Sequence, residues 1–598
     1  MRISTLKARS LLLLFASLGY TATQGYAATN VPQNPIPIND SVVLDKCGGC
    51  HRPSDNGVMR RLSYMRTTPE VWEQAIKRMV RLHGVVLSAQ DASHVLRYLS
   101  TNNGLAPEEA KPIFWEAEHR LFRDQEDPTL VPAALQRVCN YCHTIGRVLG
   151  QRRNREDYQK LATTHVALYP YTDIMVFRPY PSTATAEEIP VTTTTVGSFD
   201  TILNYPKPPQ PVDGKAPIDI ALDYLAAEQP LITPEWSAWK AVMHTPKLAG
   251  TWLINGYQKG RGRVYGEYVV EAGASPDDFT TKLTLRYASS SQELHRTGKA
   301  LVYTGYSWRG RTKVDGTASP DPSISPAEMK EALFVARDGS AIDGRLYWGG
   351  YDEFGIDVHM TRPGTSIVLQ GTDKVALRSP STTQVRLFGA NIPAGLKPGD
   401  FDLGPGVKVV RIAESKPTEA LLELAVDSGV APGTHDITLK GTTAVKAFAV
   451  YDKVSYIKVM PDASFARLGG TIAAKQYAQF EAIAFANGPD GKPGTDDDLE
   501  VGPVTANWSL EEFYSGPNDD DVKYVGKIND AGLFTPNIEG PNPARKKQYN
   551  NFGTDNYGDV WVDASYQPEG GGPPMKARSY LVVGVPEYIH FDQPEVSQ

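Results

Sequence analysis

Cysteine is almost absent. The chain holds four in 598 residues, and all four fall in two pairs, Cys47/Cys50 and Cys139/Cys142, so none is left over for other chemistry. Positive charge is not in excess either: 61 Lys and Arg against 68 Asp and Glu give a net charge of −7, which offers no basic footprint for nucleic acid. No stretch reaches the roughly 18 uninterrupted apolar residues that a membrane-spanning helix needs. The sequence also lacks a Gly-x-Ser-x-Gly elbow, a P-loop and a His-Glu-x-x-His motif, which removes the common signatures of hydrolases, nucleotide-binding enzymes and zinc proteases. His244, His295, His359, His435 and His590 are scattered singly, a pattern more often structural than catalytic.

What is present sits around the cysteines. Cys47-Gly48-Gly49-Cys50-His51 and Cys139-Asn140-Tyr141-Cys142-His143 both read C-x-x-C-H. Two thiols at this spacing add across the two vinyl groups of one haem, and the adjacent histidine then meets the iron as its proximal ligand. A redox disulfide or a four-cysteine zinc site would not require the trailing histidine in both copies. The expectation is two covalent c-type haems, bound by Cys47, Cys50, Cys139 and Cys142, with His51 and His143 on the iron.

The two motifs belong to an internal repeat. After His51, apolar residues at Trp72, Ala75, Ile76, Met79 and Val80 keep helical spacing, and Val95 to Leu99 ends a second helix. After His143 the matching stretches are Tyr158 to Tyr169 and Ala221 to Leu225. Cys47 and Tyr98 are 51 positions apart, Cys139 and Tyr224 are 85 apart, so the second copy carries an insertion of 34. Laying Trp72 on Tyr158 sets Met79 opposite His165, and both are iron ligands by chemistry. Met79 for haem 1 and His165 for haem 2 are therefore the expected distal ligands, with Met59, Met65, Met175 and His83 as competitors. A methionine ligand raises the potential relative to a second histidine, so electrons would run downhill from haem 2 to haem 1.

The ends and the remainder complete the plan. Residues 1–27 read as a cleaved secretory signal: Arg2, Lys7 and Arg9, a short apolar run from Leu11 to Leu18, then Gly25 and Ala27 before the cleavage point. An exported chain with c-type haems implies a periplasmic location. Fold class is expected to be multidomain, α plus all-β. It comprises tandem helical cytochrome c units over 28–238, an antiparallel β-barrel over 239–365, an immunoglobulin-like sandwich over 366–452 and a second one over 453–598. Alternating aromatic and β-branched runs split by glycine turns carry the β assignments. The acidic stretch Asp490 to Glu500 departs from EF-hand spacing and reads as a solvated turn, with calcium as the other possibility.

A tandem dihaem cytochrome followed by a barrel and two sandwiches resembles the α subunit of quinohemoprotein amine dehydrogenase. The likeness is carried by Cys47–His51, Cys139–His143, the Leu96–Leu99 and Leu222–Leu225 helices and the Gly250-Thr251-Trp252 strand that opens the barrel. The order of domains is its specific part. The resemblance implies a heterotrimer with a β-propeller subunit and a small subunit bearing a cysteine tryptophylquinone, which oxidises primary amines to aldehydes. It further implies that electrons leave through the haems to a blue copper protein or a soluble cytochrome c, and that this chain has no catalytic residue of its own. Two other readings stay open: a dihaem peroxidase, and a secreted binding protein whose cytochrome delivers electrons.

Overall fold

The structure is a computed structural model and describes residues 31–110, 132–136, 138–139, 145–170, 172–177, 215–244, 246–290, 293–513, 520–545, 555–569 and 571–586. Its N-terminal part is helical, and each main helix starts where the sequence supplies a cap. Helix α1 (Ser41–Cys47) is capped by Asp40, whose carboxylate accepts from the amides of Val42 and Val43. Helix α2 (Pro69–His83) begins on a proline at its first position and stops at Gly84, where φ is +67°. Helix α3 (Ala89–Asn102) is capped by Ser88. These three pack around Ile38, Val43, Met59, Leu62, Val71, Trp72, Val95, Leu96 and Leu99.

The second unit repeats the plan. The short α4 (Pro107–Ala110), α5 (Ala133–Gln136) and α6 (Gly146–Leu149) lead to α7 (Arg155–Leu168), capped by Asn154, and α8 (Pro217–Glu228). Tyr158, Ala162, Ala221, Leu222 and Leu225 form its core with Leu135, Val138 and Ile145. Thus α7 stands where α2 does, and α8 where α3 does.

One feature of this region is not visible in the periodicity. Strand β1 (Met65–Thr67) pairs antiparallel with β2 (Gln151–Arg153), and they lie just before the caps of α2 and α7 respectively. The offset that lays Trp72 on Tyr158 also lays β1 on β2. Antiparallel pairing of equivalent strands is a local two-fold, and its centre is the pair Arg66↔Arg152. Both arginines are buried, and both meet Glu109 of α4.

Strands β3 (Gly250–Gln258), β4 (Gly262–Ala272), β5 (Asp278–Tyr287), β6 (Glu293–Tyr303), β7 (Ser307–Val314), β8 (Glu328–Val335), β9 (Ala341–Trp348) and β10 (Phe354–Thr361) form a closed antiparallel barrel in sequence order. Alternate residues point inward, as in β5, where Phe279, Thr281, Leu283, Leu285 and Tyr287 are all buried. The interior is filled by large aromatics, among them Trp252, Tyr268 and Trp308. Helix α9 (Pro234–Val242) and the segment between the two helical units add to this core through Trp236, Trp239, Leu105, Ala106 and Ala110. The Tyr306 hydroxyl donates to the Leu105 carbonyl, and the Trp239 indole to the Thr304 carbonyl.

Two four-stranded sheets follow between 368 and 451, closed over one core that includes Leu387, Leu422, Leu424, Ile437 and Val450. Glu419–Val426 shows the alternation cleanly, with Ala420, Leu422, Leu424 and Val426 inside. Beyond 456 the chain forms three sheets, of three, four and three strands, around Phe480, Phe534, Val560, Val562 and Leu581. The third sheet (Ala478–Gln479, Leu533–Pro536, Gly526–Ile528) goes beyond a two-sheet plan.

Candidate functional site

In the first unit the motif continues directly from α1. The His51 amide donates to the Cys47 carbonyl at 2.9 Å, the helical i to i+4 bond, so Cys47 and His51 lie on one face. Cys47 is half-buried, Cys50 is exposed, and neither is in a disulfide. Burial, then the neighbouring Cys50, raises the Cys47 thiol above its ordinary value. The His51 ring lies with Nδ1 2.9 Å from the Arg60 carbonyl. With the proton assigned to Nδ1 by that carbonyl, Nε2 keeps its lone pair free for a metal. Burial depresses the His51 pKa first, and Arg61 and His83 add to this, which favours the neutral imidazole that binds iron.

On the distal side of the first unit, the nominated Met79 and its competitor His83 share a helix. Met79 is half-buried in the last turn of α2, and its carbonyl accepts from Gly84 and Val85 in the cap. His83 is the last residue of α2, one turn further along the same face, exposed and within electrostatic reach of His51. Of the competitors, Met59 is fully buried in the apolar core beside Leu62 and Trp72. Met65 is also buried, and its sulfur accepts from Arg153 at 2.7 Å.

In the second unit Cys139 is half-buried against the core, and burial pushes its thiol up to about 12. Cys142 and His143 lie outside the described residues, as does the side chain of Met175. His165 is on α7, its Nδ1 2.9 Å from the Leu161 carbonyl and its ring 6.4 Å from that of Phe177. Burial lowers its pKa, with Arg78 and Arg153 contributing. The donor set fits a haem in the first unit: two unpaired thiols three positions apart and an imidazole whose Nδ1 is already engaged. In the second, Cys139 and His165 are compatible with the same use.

Sequence reasoning missed the polar structure between the units. Glu109 accepts two bonds from Arg66, at 2.7 and 2.8 Å, one from the Ala106 amide and one from the Thr233 hydroxyl, and Arg152 lies 3.3 Å away. Arg66 and the other donors hold its carboxyl at about 2 against the cost of burial. The signal that could have found it is the repeat itself, because Arg66 and Arg152 coincide under the offset that aligns the two helices.

The remaining sites give simpler results. Within 490–498, Asp498 accepts from the Gly494 and Thr495 amides and the Tyr456 hydroxyl, and Asp497 from the Asp490 amide and the Thr495 hydroxyl. Among the described residues no group of three or more His, Cys, Asp or Glu side chains is placed to hold a metal ion. None of the described helices is long and apolar enough to cross a membrane.

Comparison with known families bears on the whole arrangement. Four family profiles match in order. They are the haem-binding domain of quinohemoprotein amine dehydrogenase alpha subunit over residues 38–194, domain II over 245–363, domain III over 374–452 and domain IV over 457–596. The chain belongs to the quinohemoprotein amine dehydrogenase alpha-subunit family. It is accordingly a subunit of an amine dehydrogenase, an oxidoreductase of several subunits, and its N-terminal helical region is the haem-binding one. No curated protein matches significantly. Solved structures with local similarity include a redesigned beta barrel (15% identity, 19% of this chain and 90% of that one, TM-score 0.16). A de novo fluorescence-activating beta barrel is similar at 15% identity (19% and 92%, TM-score 0.15). So is the protein titled EF1p2_mFAP2b bound to DFHBI, at 14% identity (19% and 93%, TM-score 0.16).

Proposed function

We propose that this alpha subunit is the electron-transfer arm of a periplasmic quinohemoprotein amine dehydrogenase. Cys47, Cys50 and His51 would hold one haem c, and Cys139, Cys142 and His143 the other, with Met79 and His165 as distal ligands. When bound, the two haems supply one-electron redox centres between a cysteine tryptophylquinone in a small partner subunit and a soluble blue copper protein or cytochrome c. The chain's own residues do the positioning. His51 is oriented by the Arg60 carbonyl, and the β1–β2 ribbon with Glu109 fixes one unit against the other.

The observation that carries this reading is the duplication: two helical units, each with a thiol of a C-x-x-C-H motif beside its core, related by a local two-fold. The β regions, read as a barrel over 239–365 and two immunoglobulin-like domains over 366–452 and 453–598, serve as docking surface for a β-propeller subunit and the quinone subunit. Residues 1–27 act as the export signal. In the test, the purified chain should retain two haems per chain through acid-acetone extraction and be redox-active, yet fail to oxidise primary amines. Extractable haem, or amine oxidation by the chain alone, would overturn the assignment.

A further inference from the structure

Beyond 456 the chain turns a braced apolar tip toward solvent. Arg467 and Gln476 bridge each other through backbone bonds of 3.1 and 3.2 Å, and the loop they close carries Ile472, which is 98% exposed. The Ala478–Gln479 strand that follows pairs antiparallel with Leu533–Pro536, so the segment after Pro536 arrives at the same end. That segment carries Ile538, also exposed. The Asn556 side chain donates to the Ile538 carbonyl at 3.1 Å, which sets the exposed Tyr557 beside it.

The tip is held from within. The Glu539 carboxylate accepts from the amides of Thr471, Ile472 and Ala473, at 3.1, 2.5 and 3.1 Å. The Gly470 amide donates to the Ala473 carbonyl at 2.7 Å, and the Gly469 amide to the Asn537 carbonyl at 3.3 Å. Gly470, at φ +107°, takes a backbone conformation open to glycine and strained for other residues, and this turns the loop outward. On the other flank Asn542 donates to the Asn556 side chain, and Arg545 to the Tyr557 carbonyl.

Charge and family membership say what covers this tip. The ionised side chains of 469–475 and 537–540 are Lys475 and Glu539. Both are turned to the chain's own backbone, Lys475 to the Pro536 carbonyl at 2.6 Å. A carrier that arrives and leaves in each turnover is steered by exposed charge, and these two segments offer it none. Apolar residues fixed in advance suit a lasting contact, because little loop or side-chain freedom is lost on binding. The family to which the chain belongs is an enzyme of several subunits, which supplies lasting partners.

We propose that Ile472, Ile538 and Tyr557 anchor this chain to another subunit of the amine dehydrogenase, where they seat in an apolar pocket. The inference deepens the reading of the β regions as docking surface and rests on it.

The test compares wild-type and variant complexes, purified through the alpha chain, by mass photometry over a dilution series, with every subunit identified by mass spectrometry. Ile472→Asp and Ile538→Asp should each weaken attachment of one identified dehydrogenase subunit roughly 30-fold or more, as loss of an interface anchor implies. Ile472→Val should stay within about threefold of wild type, since it keeps an apolar side chain of similar shape. Glu539→Ala, which frees the tip without altering its apolar residues, should weaken attachment roughly tenfold. Thermal unfolding of the alpha chain should not change in Ile472→Asp, because that side chain meets solvent rather than the fold. Undiminished attachment in both aspartate variants would overturn the tip assignment alone. Self-association of the isolated chain, lost in Ile472→Asp, would overturn it in favour of a second copy. A native complex holding no second kind of subunit would overturn the docking reading, and the proposal with it.

Discussion

Replacing Glu109 by glutamine should loosen the contact between the two helical units while sparing the barrel. The carboxylate joins β1 through Arg66, β2 through Arg152 and the start of α9 through Thr233. Glutamine keeps the shape and removes the charge, leaving two buried guanidinium groups without their partner. Breaking a buried pair in this way costs about 3–5 kcal/mol. The pKa gives a second figure: a fall from 4.5 in the unfolded chain to about 2 in the fold corresponds to about 3 kcal/mol. Because the folded pKa is the lower one, this stability is complete above 4.5 and is lost as pH falls toward 2. Hydrogen exchange read by mass spectrometry is the suitable assay, since a multidomain chain has no single unfolding equilibrium. Protection factors of peptides covering 65–67 and 151–153 should drop by roughly 100-fold or more at pH 7, as about 3 kcal/mol requires. Those of β8 and β9 should not change, and the difference should shrink between pH 4.5 and pH 2.5. Unaltered protection of the ribbon at pH 7, or a deficit that persists undiminished at low pH, would refute the reasoning.

Burial drives Glu331 in the barrel the other way, up to about 7, although Tyr268 and Trp308 both donate to it. Its fold-stabilised form is the protonated one, so the barrel should lose up to about 3 kcal/mol as pH rises from 4.5 through 7. Glu331→Gln should then melt above wild type at pH 8 and lose that advantage at pH 5; equal melting profiles would count against it. The buried Tyr158 hydroxyl donates toward the carbonyls of Gln151 and Gln229, and Tyr158→Phe should cost the second unit about 1–3 kcal/mol in thermal unfolding. Met79→Leu should lower the potential of one haem and leave the other unchanged, whereas the same result from His83→Ala alone would move the distal ligand by one turn.

Helices α2, α3, α7 and α8 were legible because their apolar positions recur at helical spacing and the repeat sets one pair on the other. The barrel was legible because β5 and its neighbours alternate over 8 to 11 residues. The ribbon was not, since a strand of three residues such as Met65–Thr67 carries no period. Arg66 carries no motif of its own, and only tertiary pairing with Glu109 makes its burial tolerable. The third sheet beyond 456 escaped for the same reason as the ribbon, its strands being two to four residues long. In the candidate site, C-x-x-C-H spacing is local chemistry and could be read directly. A distal ligand is supplied by a distant helix, so Met79 and His83, on one face of α2, look alike in sequence.

The central claim is that electrons from a primary amine reach two haems on this chain through a partner. The direct measurement is anaerobic stopped-flow absorption of the native complex after mixing with a primary amine, with haem counted by pyridine haemochrome. Reduction of two haems per alpha subunit, abolished by a carbonyl reagent that blocks quinones and absent when the chain is mixed with amine alone, is the predicted result. Haems that stay oxidised in the amine-treated complex, or that are reduced equally by the isolated chain, would contradict it.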